Sequence, residues 1–155
     1  MSDLDAQIET GRQLERDGQE QEAIEYFRAL VERYPDNPRV RFEYAGAHDF
    51  AGQEAEAIPV YREAMRLGLS DDDLPRAYVQ LGSSLRNVGQ HQEAVDLLTE
   101  GLSRFPAYTP PSHFPRIRVV FQRARPRCAR RGARIAVDTT GSAGWLWKGD
   151  TLLHG

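Results

Sequence analysis

Over the first two-thirds of the chain, apolar residues recur three and four positions apart. Leu4, Ile8, Gly11 and Leu14 form one stripe, and Ala23, Ile24, Phe27, Leu30 and Val31 form another. That spacing places each set on one face of a helix. It predicts helices over 4–17 and 21–33, over 38–51 and 54–67, and over 74–88 and 91–104. The fourth carries Ala57, Val60, Tyr61, Ala64 and Met65, and the sixth Val95, Leu98 and Leu102. Polar punctuation agrees. Ser2 or Asp3 can cap the first helix, and Asp3 and Asp5 suit the positive end of its dipole. Gly18, Gly52 and Gly89 suit helix ends. Asn37 and Pro38 are a good cap and a good first helical residue. Pro59 is expected near a first turn, where it is tolerated.

The six stripes come in pairs that repeat. Gly18-Gln19-Glu20-Gln21-Glu22-Ala23 returns as Gly52-Gln53-Glu54-Ala55-Glu56-Ala57 and again as Gly89-Gln90-His91-Gln92-Glu93-Ala94. The glycines are 34 and 37 residues apart. A fixed period of this size marks stacked units that bury their apolar faces only against neighbours. Counting from Leu4, Pro38 and Pro75, the eighth position is small (Gly11, Ala45, Gly82) and the twentieth is Ala23, Ala57 and Ala94. The twenty-fourth is bulky (Phe27, Tyr61, Leu98), and Pro35 and Pro106 close their units where Leu69 is the exception. These residues read as architecture: small positions let two helices approach, and bulky ones fill the space between pairs.

On these positions the chain resembles the tetratricopeptide repeat family, with repeats at about 4–37, 38–71 and 75–108 in an array over 1–108. Phe42-Glu43-Tyr44-Ala45-Gly46-Ala47-His48-Asp49 and the run from Leu81 to Gly89 resemble small bacterial members of unassigned function. The resemblance implies an all-α fold, a right-handed superhelical array of three helix–turn–helix hairpins. It also implies a scaffold that binds another protein or a peptide in its concave groove, with no cofactor. Self-association, as a dimer or through the uncapped last repeat, is a further implication. Carried onto this sequence, the groove positions are Asp5, Ile8, Arg12, Glu15 and Arg16, then Arg39, Phe42, Gly46, Asp49 and Phe50. The third set is Arg76, Val79, Ser83, Arg86 and Asn87. Arg12, Arg16, Arg39, Arg76 and Arg86 could clasp ligand carboxylates, with Ile8, Phe42, Phe50 and Val79 as an apolar floor and Asn87 beside them. An acidic, partly apolar, extended peptide fits that set. The alternative is that these arginines pair with neighbouring acids on a solvated face.

Charge changes the picture beyond this array. The net charge of the whole chain is −3, but residues up to Phe105 carry about −10 and those from Pro106 about +7. No fourth repeat begins near Thr109. Pro110, Pro111, Pro115 and Pro126 forbid one long helix, and short apolar pieces around Val119, Ile135 and Trp145 follow no helical period. The tail over 109–155 has three readings: a basic nucleic-acid arm, a small β unit on the last repeat, or out-of-frame sequence from a GC-rich gene. The loss of all pattern favours the third, with poor order beyond about residue 110. Apolar residues of the helix over 91–104 would then lack a cover, which predicts association. A nucleic-acid-associated regulator using the basic tail is the alternative function.

Little chemistry is legible. His48, His91, His113 and His154 have no ligand partner at i+3 or i+4. Ser83 and Ser84 have no partnered base. Asp71-Asp72-Asp73 reads as a solvated, capping loop, and Cys128 as a bystander thiol. No leader pattern opens the chain, and no stretch approaches about 18 apolar residues. A non-catalytic, cytoplasmic protein is expected.

Overall fold

The structure, a computed structural model, describes residues 2–109. All three readings of the basic tail, and its expected poor order, concern residues outside that range. Among the described residues there are six helices and no strand. They are α1 (Asp3–Arg16), α2 (Glu20–Arg33), α3 (Pro38–Phe50), α4 (Glu54–Leu67), α5 (Leu74–Asn87) and α6 (His91–Arg104). The predicted elements all stand, with ends shifted by a residue or so.

Local chemistry explains the boundaries. Ser2 Oγ accepts from the Asp5 amide while the Asp5 carboxylate accepts from the Ser2 amide, a reciprocal cap for α1. Asn37 caps α3 through the Val40 amide, ahead of Pro38. Each hairpin turns the same way. The amide of Gln19 donates to Leu14, that of Gln53 to His48 and that of Gln90 to Leu85, five residues back. Gly18, Gly52 and Gly89 sit beside these bonds with φ of +74°, +71° and +86°, the left-handed conformation that such a terminus requires. Pro59 departs from expectation. It is the sixth residue of α4, beyond the first turn, so the Ala55 carbonyl loses its helical donor there. Its ring is tolerated on an exposed face.

Close approach of paired helices rests on the eighth position. A methyl group added at Gly11 would lie 2.4 Å from Cζ of Phe27, and one at Gly82 2.6 Å from Cγ of Leu98. In each case the bulky residue of the second helix occupies the room that the first helix leaves.

The buried residues form two clusters that meet on α3. One joins Ile8 of α1 and Ala23, Ile24, Phe27 and Leu30 of α2 to Val40 and Ala47 of α3. The other runs from Phe42 and Ala45 of α3 through Tyr61 of α4 to Tyr78 and Leu85 of α5 and Ala94 of α6. Leu69, the exception to the closing proline, is buried in this second cluster. The long connection after α4 is thus pinned by a side chain rather than stiffened by a ring.

Candidate functional site

The backbones of first helices of adjacent pairs approach closely, α1 with α3 and α3 with α5, whereas those of α2, α4 and α6 do not approach one another. Among the described residues α4 and α6 are linked only by the exposed Arg62–Glu93 side-chain pair. The array therefore closes on the side of α1, α3 and α5, and those helices form its inner wall. What the wall offers follows from which side chains are already engaged.

Most of its arginines are. Arg12 on α1 reaches α3 with two parallel bonds: Nε donates to Glu43 Oε2 at 2.8 Å, and Nη2 donates to Glu43 Oε1. Glu43 is 6% exposed, so this is a half-buried, fork-to-fork pair between successive hairpins. Its guanidinium is held above the ordinary arginine value, chiefly by that bond. Arg39 on α3 reaches back to Asp5 Oδ1 on α1 at 2.5 Å. Asp5 also accepts from Ser2, and these bonds hold its carboxyl well below the usual range. Arg16 is bound by Glu9 and Gln13 of its own helix. Arg76 pairs with Asp73 at 3.2 Å and lies 5.0 Å above the Phe42 ring.

Asp49 and Glu15 of the expected wall have no cation partner among the described residues. Asp49 on α3 accepts from Ser84 Oγ of α5 at 2.8 Å and from Tyr61 Oη at 3.4 Å. Burial pushes it up, and those two bonds only partly oppose the rise. Tyr61, buried against it, is held well above the ordinary phenol value, first by desolvation. Glu15 on α1 makes no hydrogen bond or ion pair among the described residues. Burial, then the charge of Glu43, pushes it from 4.5 to about 7, with Arg12 and Arg16 pulling the other way.

The expected groove residues thus divide. Phe42 is 1% exposed and packs against Tyr61, the rings tilted by 51° with centroids 5.8 Å apart. It belongs to the core, and Ile8 and Val79 are buried with it. These three are therefore not an exposed floor; Phe42 packs on Tyr61 of α4, and Ile8 lies in the cluster with Phe27 of α2. Phe50 alone of the expected apolar set stands open, 56% exposed at the end of α3. Arg86 and Asn87 stand on the last turn of α5. Arg86 donates to Asn87 Oδ1 at 2.8 Å and contacts no carboxylate among the described residues. Asn87 donates to Glu54 at 3.0 Å. The sequence reading gave neither Glu43 nor Ser84 a partner, and the structure gives both one across hairpins, Arg12 and Asp49. The usable signal was spacing: Arg12 and Glu43 lie 31 residues apart, Asp49 and Ser84 35, close to one repeat. Among the described residues no group of three or more His, Cys, Asp or Glu is placed to hold a metal, and no helix is long and apolar enough to cross a membrane.

A protein-family model described as "Tetratrico peptide repeat" matches residues 38–108, and a second, "Tetratricopeptide repeat", matches 4–47. Among curated proteins, mouse aspartyl/asparaginyl beta-hydroxylase is 29% identical over 91 residues, which are 58% of this chain but 12% of that protein. The chain spans about an eighth of that relative. Among solved structures, the Sgt2 domain of Aspergillus fumigatus superposes with a TM-score of 0.60 at 18% identity, covering 69% of each chain. The type III secretion chaperone SycD of Yersinia enterocolitica, in complex with a peptide of the translocator YopD, gives 0.60 at 22% identity. That match covers 71% of this chain and 82% of SycD. At these identities the likeness is one of fold.

Proposed function

The chain belongs to the tetratricopeptide repeat proteins through residues 4–108, and on that premise we propose that it is a non-catalytic module that holds an extended peptide segment of another protein along its inner wall. One observation carries the reading. The last turn of α3 carries an open ring, Phe50, and the last turn of α5 a guanidinium, Arg86, that no carboxylate of the described residues engages. A ring and a planar fork held only by a neutral amide suit apolar and acidic side chains respectively. That SycD holds a YopD peptide supports the same use of this fold. Arg12, Arg16, Arg39 and Arg76 contribute less than the sequence suggested, since their charge is spent on the chain's own acids. Nothing in the described residues favours the nucleic-acid alternative.

The test uses fluorescence anisotropy with labelled peptides of acidic–aromatic, neutral and basic composition. The acidic–aromatic peptide should bind best, and Phe50→Ala and Arg86→Glu should each weaken it about tenfold. Unchanged affinity in both variants removes the inner wall as the site. A preference for the basic peptide, lost in Phe50→Ala, would keep the wall and overturn the charge assigned to the ligand.

A further inference from the structure

The two seams of the inner wall use the same repeat positions differently. With periods of 34 and 37 residues, Arg12 corresponds to Gly46 and Glu43 to Gln80. At the first seam those positions hold the Arg12–Glu43 fork. At the second, between α3 and α5, Gln80 keeps an acceptor in the place of Glu43. Gly46 has only a hydrogen in the place of the arginine. Gln80 Oε1 is buried and meets no donor among the described residues, a costly condition for a polar atom.

Contacts tie this part of the seam together. Ser84 Oγ, one turn beyond Gln80 on α5, lies 3.0 Å from the Gln80 carbonyl oxygen and 2.8 Å from Asp49 Oδ1 on α3. Asp49 in turn is three residues beyond Gly46, on the same face. A methyl group added at Gly46 would have one close neighbour from another helix, Tyr61 Oη at 3.9 Å. Tyr61 Oη is 3.4 Å from Asp49 Oδ2. Room for a small group therefore lies over Gly46, and the groups around it are acceptors: Gln80 Oε1, the Asp49 carboxylate and the Tyr61 oxygen. Gly46, Asp49 and Gln80 are half-buried, so this room opens on the inner wall.

We propose that it is a subsite for a primary ammonium group of the segment held on that wall. Three separate acceptors about one point match the three diverging donors of an ammonium head. A guanidinium fork matches two parallel oxygens instead, as at Glu43. Asp49 supplies the opposite charge, and the net charge of about −10 up to Phe105 draws cations to the array. The carrier of the ammonium rests on the peptide reading above; the subsite itself does not.

Carboxyl NMR on the full chain tests the subsite without a peptide. Burial holds Asp49 up, and a bound cation favours its ionised form. Ethylammonium chloride should therefore lower the Asp49 midpoint further than equal sodium chloride does. Gly46→Ala, which fills the room, and Gln80→Leu, which removes an acceptor, should each abolish that difference. Equal responses to the two salts overturn the subsite, as does a difference that survives in both variants. The carrier is tested by anisotropy with N-acetylated acidic–aromatic peptides in which one lysine is stepped along the chain. At one position lysine should bind about tenfold tighter than norleucine, and Gln80→Leu should erase that gain. A peptide with a free α-amine and no lysine tells a chain terminus from a side chain. If no peptide binds, the peptide reading fails and the response to ethylammonium still decides the subsite.

Discussion

Gly11 and Gly46 show how a single hydrogen in place of a methyl group decides a packing distance. Both are glycines within first helices, and both forgo the helix propensity of alanine, about 0.5–1 kcal/mol. At Gly11 the added carbon would meet the Phe27 ring at 2.4–2.9 Å, and that ring is fully buried. At Gly46 the nearest atom is the Tyr61 hydroxyl at 3.9 Å. Gly11→Ala should therefore destabilise the array by about 1–2 kcal/mol, the overpacking cost less the propensity gain. Gly46→Ala should be neutral or stabilise it by up to about 1 kcal/mol. Urea unfolding of the two variants checks the signs, and equal effects would show that close approach does not govern the eighth position.

At the scale of the element, the first and second helices of the first two pairs are built to different standards, while α5, begun at Asp73, lacks a side-chain cap bond as α6 does. α1 and α3 have side-chain caps, from Ser2 and Asn37. The second helices begin at Gln19, Gln53 and Gln90, none of which makes a side-chain cap bond. Glutamine is a poor N-cap, so the first amides of α2, α4 and α6 have no acceptor from the cap side chain. Gln90→Asp should supply an acceptor and a negative charge at that end and stabilise α6 by about 0.5–1 kcal/mol. The gain should appear as slower amide exchange in the first turn of α6; no change would mean that the backbone there does not relax into capping geometry. Leu102, 41% exposed on the last turns of α6, has buried or half-buried counterparts in Val31 and Met65. The same position is covered wherever another pair follows.

For the whole molecule, successive pairs are joined by two kinds of contact, apolar stacking and a ladder of polar links one repeat long. The ladder includes Arg12 with Glu43, Arg39 with Asp5, Ser84 with Asp49 and Arg62 with Glu93. Exposed members such as Arg62 with Glu93 add little. The Arg12–Glu43 pair matters more, because Glu43 cannot recover water once its partner is gone. Arg12→Ala should cost about 2–4 kcal/mol, somewhat below a fully buried pair because Arg12 is partly open. The double change Arg12→Met with Glu43→Leu should recover most of that loss, since it removes the stranded charge as well. Thermal unfolding of wild type, single and double variants decides it. A double variant as weak as the single one would show that the pair itself, and not the stranded carboxylate, holds the seam.

Six helices, their turns and their small and bulky positions were legible because each depends on neighbours within about one repeat of chain, and the repeat was printed three times. The helical period, the left-handed turn glycines and the Gly11–Phe27 fit are local facts of this kind. Groove chemistry was not. The ninth or second position of a repeat can be named from sequence, but whether its guanidinium is free depends on an acid one hairpin away. Arg12 meets Glu43 and Arg39 meets Asp5 only after the pairs stack, and Phe42 proves to be core only once Tyr61 has packed against it. Periodicity determined which face each helix buries; stacking decided which charges remain for a ligand, because opposite charges cancel only at distances that the folded chain sets.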